Sequence, residues 1–460
     1  MQMGTRRAFI QGAALCCAGS CAAVWAAPRL TGVWSGYLGS DNPPTLLTLR
    51  VITNSAAELT VVGIGAIPLS RFRVVARGVE FETERPRGAF DGTLNDAGDL
   101  VGSIRRGDES IPLTFVRGDL YTEPAMPPLP LGPITADRLK ELRTAAGCPA
   151  MGVAWQRDNG PVHVIVDGRR SVQGHALVQP TDRWHLGSVT KSMTATLAAR
   201  LVERGRLAWT TPLRELLGSD IPDMPPAYRD LNLLHLLSHH GGLADDTAAE
   251  SYADLPQSQQ RLAFVRAALK RQPVGEAGKA MVYSNAGYVA AGLMLEISGG
   301  AAWEDLITRH VFDPLGVHDF GFGPPGIAGR LDEPQGHRMG ARGLEPVRSD
   351  VAFAFGPAGR VHMTLGDLAR YLRAHRDRPA GFLGPASWDT LHTPPFGGNY
   401  ALGWEISETG VLVHGGTNGW WKSEVRVDPQ RRLVSAAVTN VLNGNGQKAL
   451  LLLEDAAILS

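Results

Sequence analysis

The chain has 460 residues, 44% apolar and 20% charged, with 45 basic residues balancing 45 acidic ones. That length allows about two to four domains and a large buried core, and the even charge lacks the basic excess with which a nucleic-acid binder neutralises phosphates. Apolar content is too high and net charge too low for a disordered chain, so the 54 Gly and 31 Pro speak for many turns in a globular protein.

Arg6 and Arg7 stand ahead of an acid-free, weakly apolar stretch that runs to Val24-Trp25-Ala26. A positive start, an apolar middle and small residues at a cleavage point form the layout of a bacterial export signal, here over residues 1–26. Thr5-Arg6-Arg7-Ala8-Phe9-Ile10 resembles the twin-arginine signal, which implies export of a folded protein to the periplasm or beyond. Two alternatives stay open: an uncleaved N-terminal membrane anchor, since the stretch nearly spans a bilayer, and lipidation at Cys21 behind Ala18-Gly19-Ser20, a poor lipobox. Cys16, Cys17 and Cys21 leave with this segment, so the mature chain holds Cys148 alone and has no internal disulfide. No charge flanks Cys148 to stabilise a thiolate, which points to a buried apolar filler.

Residues 27–121 read as short strands at 46–52, 58–62, 78–84 and 111–116, broken by turns such as Asn95-Asp96-Ala97-Gly98. They predict a small, closed all-β unit, and Gly32-Val33-Trp34 near its start resembles the opening of lipocalin-like barrels. Pro124, Pro127, Pro128, Pro130 and Pro133 then crowd a short segment and predict a stiff linker over 122–133.

In residues 134–460, Thr135 caps a helix that reaches Ala146 with Gly147 as its stop, and strands at 150–155 and 162–166 join across Asp158-Asn159-Gly160. A helical middle follows, with Met193, Leu197 and Leu201, then Val289, Leu293 and Ile297, at helical spacing. Strands return at 411–414, 423–427 and 433–439 before a closing helix at 448–459. Helix and strands at both ends of a helical middle predict one mixed α/β domain whose sheet joins distant chain segments.

The chemistry starts at Ser188-Val189-Thr190-Lys191, at the head of the helix that carries Met193. Three residues apart on a helix, the hydroxyl and the amine share one face within reach of each other. A serine attacks a carbonyl only when something takes its proton, and a desolvated lysine can do so. The helix N-terminus adds N–H groups and positive potential where an oxyanion would form. Two further elements follow in order: Tyr283-Ser284-Asn285 before a helix, and His414-Gly415-Gly416 on a late strand.

Taken together, these three elements resemble the serine β-lactamase and penicillin-binding-protein superfamily, and within it the class C β-lactamase-like branch of esterases, D-aminopeptidases and D,D-peptidases. The resemblance runs from about Ile134 to the C-terminus, with further matches at Leu236-Leu237-Ser238-His239-His240-Gly241-Gly242-Leu243, Phe312-Asp313-Pro314-Leu315-Gly316, Ala358-Gly359, Asp367-Leu368-Ala369 and Leu402-Gly403-Trp404. It implies an antiparallel sheet with a helical subdomain, Ser188 as acylated nucleophile, Lys191 as the group that deprotonates it and Tyr283 as proton shuttle. It also implies that Asn285 orients Lys191 and substrate, and that the backbone amides of Ser188 and Thr417 form an oxyanion hole. Gly415 and Gly416 would leave the strand edge bare for a substrate to lie along as an added strand.

β-Lactamases of this branch carry Lys-Thr-Gly where this chain has His414-Gly415-Gly416, so the resemblance puts a group with a reference pKa near 6.5 where a fixed cation would meet a carboxylate. That favours esters, amides and D-amino-acid peptides as small-molecule or peptide substrates over β-lactams, with no cofactor, metal or nucleic acid. A β-lactamase and a penicillin-recognising sensor that deacylates slowly remain the alternatives, with Lys191 and Tyr283 together favouring turnover. A zinc site at His235, His239 and His240 lacks the Glu of the His-Glu-x-x-His pattern, and no serine has glycines two before and two after it, so an α/β-hydrolase elbow is absent. Trp420 and Trp421 suit core packing better than substrate stacking.

Overall fold

The computed structural model describes residues 30–38, 45–61, 65–84, 87–106, 109–118, 125–244, 252–340 and 343–460. The export signal, Cys16, Cys17, Cys21, Val62 and Pro124 lie outside the described residues.

An antiparallel sheet of nine strands occupies the N-terminal part. Neighbours in sequence are neighbours in space, and the first strand, Gly32–Leu38, also pairs with the last, Glu109–Arg117. The two edge strands, Gly65–Ile67 and Leu69–Val75, stand at opposite ends of the strand order yet are separated in sequence only by Pro68, which brings the sheet close to a closed barrel. Its interior is filled: Trp34, Leu49, Val79, Phe81, Phe90, Leu100, Leu113 and Phe115 are almost wholly buried. Phe81 stacks on Phe90 at 4.9 Å and Phe115 meets Phe90 edge-on at 5.4 Å. The expected Asn95 to Gly98 turn joins Arg87–Leu94 to Leu100–Arg106; Gly98 has φ 86°, and the Asn95 side chain accepts from Asp99 N at 2.8 Å. Those two strands, with Gly32–Leu38, Gly65–Ile67 and Leu69–Val75, are not among the expected ones.

Residues 125–135 form no helix or strand, yet they are not a free spacer: Met126 and Leu129 pack on the following unit, and Arg138 donates to Pro130 O. Thr135 then caps the helix Ala136–Ala145, which Gly147 closes with φ 65°. A six-stranded antiparallel sheet follows, in the order His163–Gly168, Ala150–Arg157, Leu433–Thr439, Lys422–Asp428, Leu412–Thr417, Glu405–Ile406. Its middle strand, Leu433–Thr439, is buried at all seven positions because both faces are covered. Leu433 and Ala437 face the terminal helices Ala136–Ala145 and Gly444–Ala456, while Val434, Ala436 and Val438 face the helical middle. Asn443 caps the last helix, which therefore starts four residues before its expected position.

The helix Thr190–Glu203 runs through the middle of the helical half, with Met193, Leu197 and Leu201 buried as its spacing predicts. Truncating one such leucine to alanine costs about 2 to 5 kcal/mol. Against it lies Asn285–Gly299, capped by Ser284 and closed by a left-handed Gly300; Val289 and Leu293 are buried, whereas Ile297 is exposed, so the apolar stripe ends a turn early. Trp420 and Trp421 are buried, with Trp421 edge-on to Trp184 at 6.1 Å, a packing role.

Candidate active site

Ser188 lies in a 3-10 turn, Gly187–Val189, that feeds the helix Thr190–Glu203. Gly187 takes φ 51°, and a Cβ there would come within 2.3 Å of Thr417 N. A Cβ on Gly416 would sit 1.9 Å from Leu186 O and 3.0 Å from Ser188 N. Both glycines thus let the serine turn press directly on the strand Leu412–Thr417, which brings the Ser188 and Thr417 backbones together. Ser423 on the adjacent strand secures the turn by donating to Leu186 O at 2.7 Å. The glycine pair thus has a packing reason of its own. Gly416 is bare for the serine turn, and Gly415 is bare because Lys422 Nζ and Glu424 Oε2 stand 3.0 and 2.9 Å from where its Cβ would be.

Lys191 is fully buried one helical turn along. Its Nζ lies 3.0 Å from Ser188 Oγ, 2.7 Å from Asn285 Oδ1 and 2.8 Å from Ala358 O. The Tyr283 ring centre is 4.9 Å from that nitrogen and the Tyr288 ring 5.4 Å. Tyr283 itself is 40% exposed, so it stands between the buried amine and solvent.

His239 fixes the segment that carries Tyr283. It adopts φ 64° just past the helix Leu233–Leu237, accepts Ser284 N on Nδ1 at 3.0 Å and accepts Val282 N on its carbonyl at 2.8 Å. Its ring lies 4.1 Å from the Tyr283 ring. Burial first, then the neighbouring Lys191, holds the imidazole well below its ordinary pKa, so it is neutral. His235 is on the helix Leu233–Leu237 and His239 lies beyond it, although a spacing of four would place both on one face of a longer helix. His235 Nδ1 instead pairs with the Asn232 cap at 2.9 Å.

His414 is buried on the strand opposite. Its Nδ1 donates to Gly415 O at 2.6 Å and its Nε2 accepts from Tyr400 OH at 2.8 Å. Burial, with Lys191 next, lowers its pKa to about 3, which corrects the expectation of a group titrating near neutrality. A fixed cation does stand nearby, one strand over: Lys422 Nζ, bound to Glu424 Oε1 at 2.9 Å. Strand register creates this arrangement, since Gly415 pairs with Glu424 and Thr417 with Lys422.

The structure therefore brings Ser188, Lys191, Tyr283, Asn285, His414 and Thr417 together at one site. Lys422, Glu424 and Tyr400 are additions that motif spacing did not reveal, and His239 stood in a matched motif without this role. Ala358-Gly359 and Leu402-Gly403-Trp404 did carry a signal without a role. Ala358 is an acceptor for Lys191, and Gly403, at φ 76°, lets that loop approach Ser192, where a Cβ would come within 2.6 Å of its Cα.

A helix-covered antiparallel sheet with a serine and a buried lysine paired at a helix start defines the class of serine hydrolases that share the β-lactamase fold. The profile of the β-lactamase family matches residues 135–459, and the chain belongs to that family. Over 333 residues it is 30% identical to penicillin-binding protein 4 of Amycolatopsis lactamdurans, a span of 66% of this chain and 84% of that relative. The fold is shared with EstCE1, a hydrolase with promiscuous acyltransferase activity, at 19% identity and a TM-score of 0.59 over 71% of this chain and 98% of the other. It is shared equally with the D-amino acid amidase of Ochrobactrum anthropi SV3, at 19% identity and a TM-score of 0.58 over 70% and 96%.

Proposed function

We propose that the protein hydrolyses neutral esters, amides or D-amino-acid peptides through an acyl-enzyme on Ser188. The observation that carries this reading is the set of partners around Lys191 Nζ. As a neutral amine, Lys191 can give its two N–H bonds to Asn285 Oδ1 and Ala358 O and turn its lone pair to Ser188 Oγ, the three acceptors within its reach. As the amine removes the hydroxyl proton, Ser188 Oγ bonds to the substrate carbonyl carbon. The Ser188 and Thr417 amides receive the developing oxyanion. Tyr283, part-exposed beside the amine, relays the proton to the departing alcohol or amine, and later draws one from the water that releases the acyl group.

His414 supports the choice of neutral substrates. It is uncharged, and the ammonium that lies closest to its strand is matched by Glu424, so a substrate carboxylate would meet no net positive charge there. The esterase and amidase neighbours and the penicillin-binding relative are consistent with acyl chemistry on either kind of substrate. The test is the ratio of specificity constants for a neutral nitrophenyl ester and a chromogenic cephalosporin. The wild type should favour the ester, and His414→Lys should narrow the gap by up to about 100-fold, the range of a desolvated charge-assisted contact. A wild type faster on the cephalosporin contradicts the substrate assignment. Export is part of the same proposal: replacing Arg6 and Arg7 with lysine should retain the protein in the cytoplasm on fractionation.

A further inference from the structure

Behind the proposed oxyanion hole lies a buried carboxylate that this mechanism does not use. The Asp350 side chain is 2% exposed. Its Oδ2 stands 3.0 Å from His185 Nε2 and 3.4 Å from Arg360 Nε, and its Oδ1 accepts from Asn418 Nδ2 and from Val351 N, each at 2.8 Å. His185 Nδ1 in turn accepts the Gly187 N–H at 3.1 Å, which fixes the ring as the tautomer that donates from Nε2 to Asp350. Burial pushes the Asp350 carboxyl up, but His185, Arg360 and Asn418 outweigh it and hold the pKa below the usual carboxylate value, so the group is charged.

Each arm of this cluster ends beside a working part of the site. Gly187 immediately precedes Ser188. Asn418 immediately follows Thr417, and its Oδ1 accepts Trp420 N at 3.2 Å, so the amide is held at both ends. Arg360 lies two residues beyond Ala358, whose carbonyl binds Lys191. One carboxylate therefore ties together three segments far apart in the chain: His185 and Asp350 are 165 residues apart, Asn418 and Asp350 another 68.

We infer that Asp350 is a positioning residue that sets the spacing of the two oxyanion-hole amides, through His185 on the Ser188 side and Asn418 on the Thr417 side. This rests on the preceding reading and deepens it. Displacing either amide by about an ångström weakens a bond made only as the oxyanion forms. The loss falls on kcat and leaves substrate binding in place.

The test uses the full chain with Asp350→Asn, an ester, and the matching thionoester, whose sulfur is a poorer partner for two amide donors. Asp350→Asn should lower kcat for the ester by about 10- to 100-fold with KM within about twofold, and should shrink the ester-to-thionoester rate ratio by a similar factor. Fluorophosphonate should still label Ser188. Should Asp350→Asn fail to fold by circular dichroism, Asn418→Ala severs only the Thr417 arm and is read by the same ratio. An unchanged kcat, or an equal loss on both substrates, overturns the inference. A wild type that neither takes fluorophosphonate on Ser188 nor hydrolyses the ester overturns the parent reading instead, so the two failures are distinguishable.

Discussion

In the nine-stranded unit the buried side chains are apolar except for Ser35 and Thr83 among the described residues, whereas the hydrolase unit buries Lys191, His239 and His414 side by side. Among the described residues the charges of the first unit are not buried, and some form cross-strand pairs such as Arg73 with Glu80 and Arg71 with Glu82. Both units have an apolar core of buried side chains, so the difference lies in what else they bury. Burying a polar group is unfavourable unless it is fully bonded, and the second unit carries that cost where its chemistry requires shifted and oriented groups. The thirteen histidines fall on the same side of this divide, all of them after residue 134.

The contrast predicts effects of different kind and size. Ser188→Ala should reduce ester hydrolysis to background, and Lys191→Ala and Tyr283→Phe should each lower kcat by about 100-fold or more without adding in the double variant, since they act as one proton-transfer unit. Normal rates in Ser188→Ala would remove the basis for the comparison. Phe81→Ala in the nine-stranded unit should cost about 3 to 5 kcal/mol in a denaturant melt of that unit, with kcat on a small ester unchanged.

Acid should separate the two units further. Burial lowers His337 and His362 to about 4, and His392 and His414 to about 3. The unfolded chain binds protons below its ordinary histidine pKa while the folded one does not, so stability is full above about pH 6.5 and is lost as pH falls towards those folded values. Each of these buried histidines should cost roughly 1 to 2 kcal/mol between about pH 7 and pH 5. Calorimetry should show the hydrolase transition moving down with acid while the nine-stranded unit, which has no histidine, stays near its neutral value. Smallest of all, Arg73→Ala should change stability by under about 1 kcal/mol, because its partner is a surface carboxylate.

What could be read in advance follows from the range of each interaction. Ser188 and Lys191 are three apart on a helix start, and Tyr283 and Asn285 flank a capping serine, so local spacing is sufficient to name them. His414 was legible by its place before two glycines, but its charge state was not, since Tyr400 and the depth of burial decide it. Asp350 and Lys422 were invisible for the same reason: strand register and packing across many residues create their contacts. In the barrel, strands such as 46–52 show β-branched and apolar residues at a clear period. Arg87–Leu94 hides its own behind Gly88, Asp91 and Gly92, although Phe90 on it is central to the core. A bare backbone is needed at Gly92, where a Cβ would lie 2.4 Å from the Phe90 ring.

The central claim is an acyl-enzyme on Ser188, and the most direct measurement is intact-protein mass spectrometry of the wild type mixed with an activated carboxylic ester and quenched on the millisecond scale. A mass increase equal to the acyl group, located by digestion to the peptide that holds Ser188, should appear with a burst of product and then decay. The same increase should be missing from Ser188→Ala. An acyl mass on another residue, or turnover with no acyl mass at any time, would contradict the account.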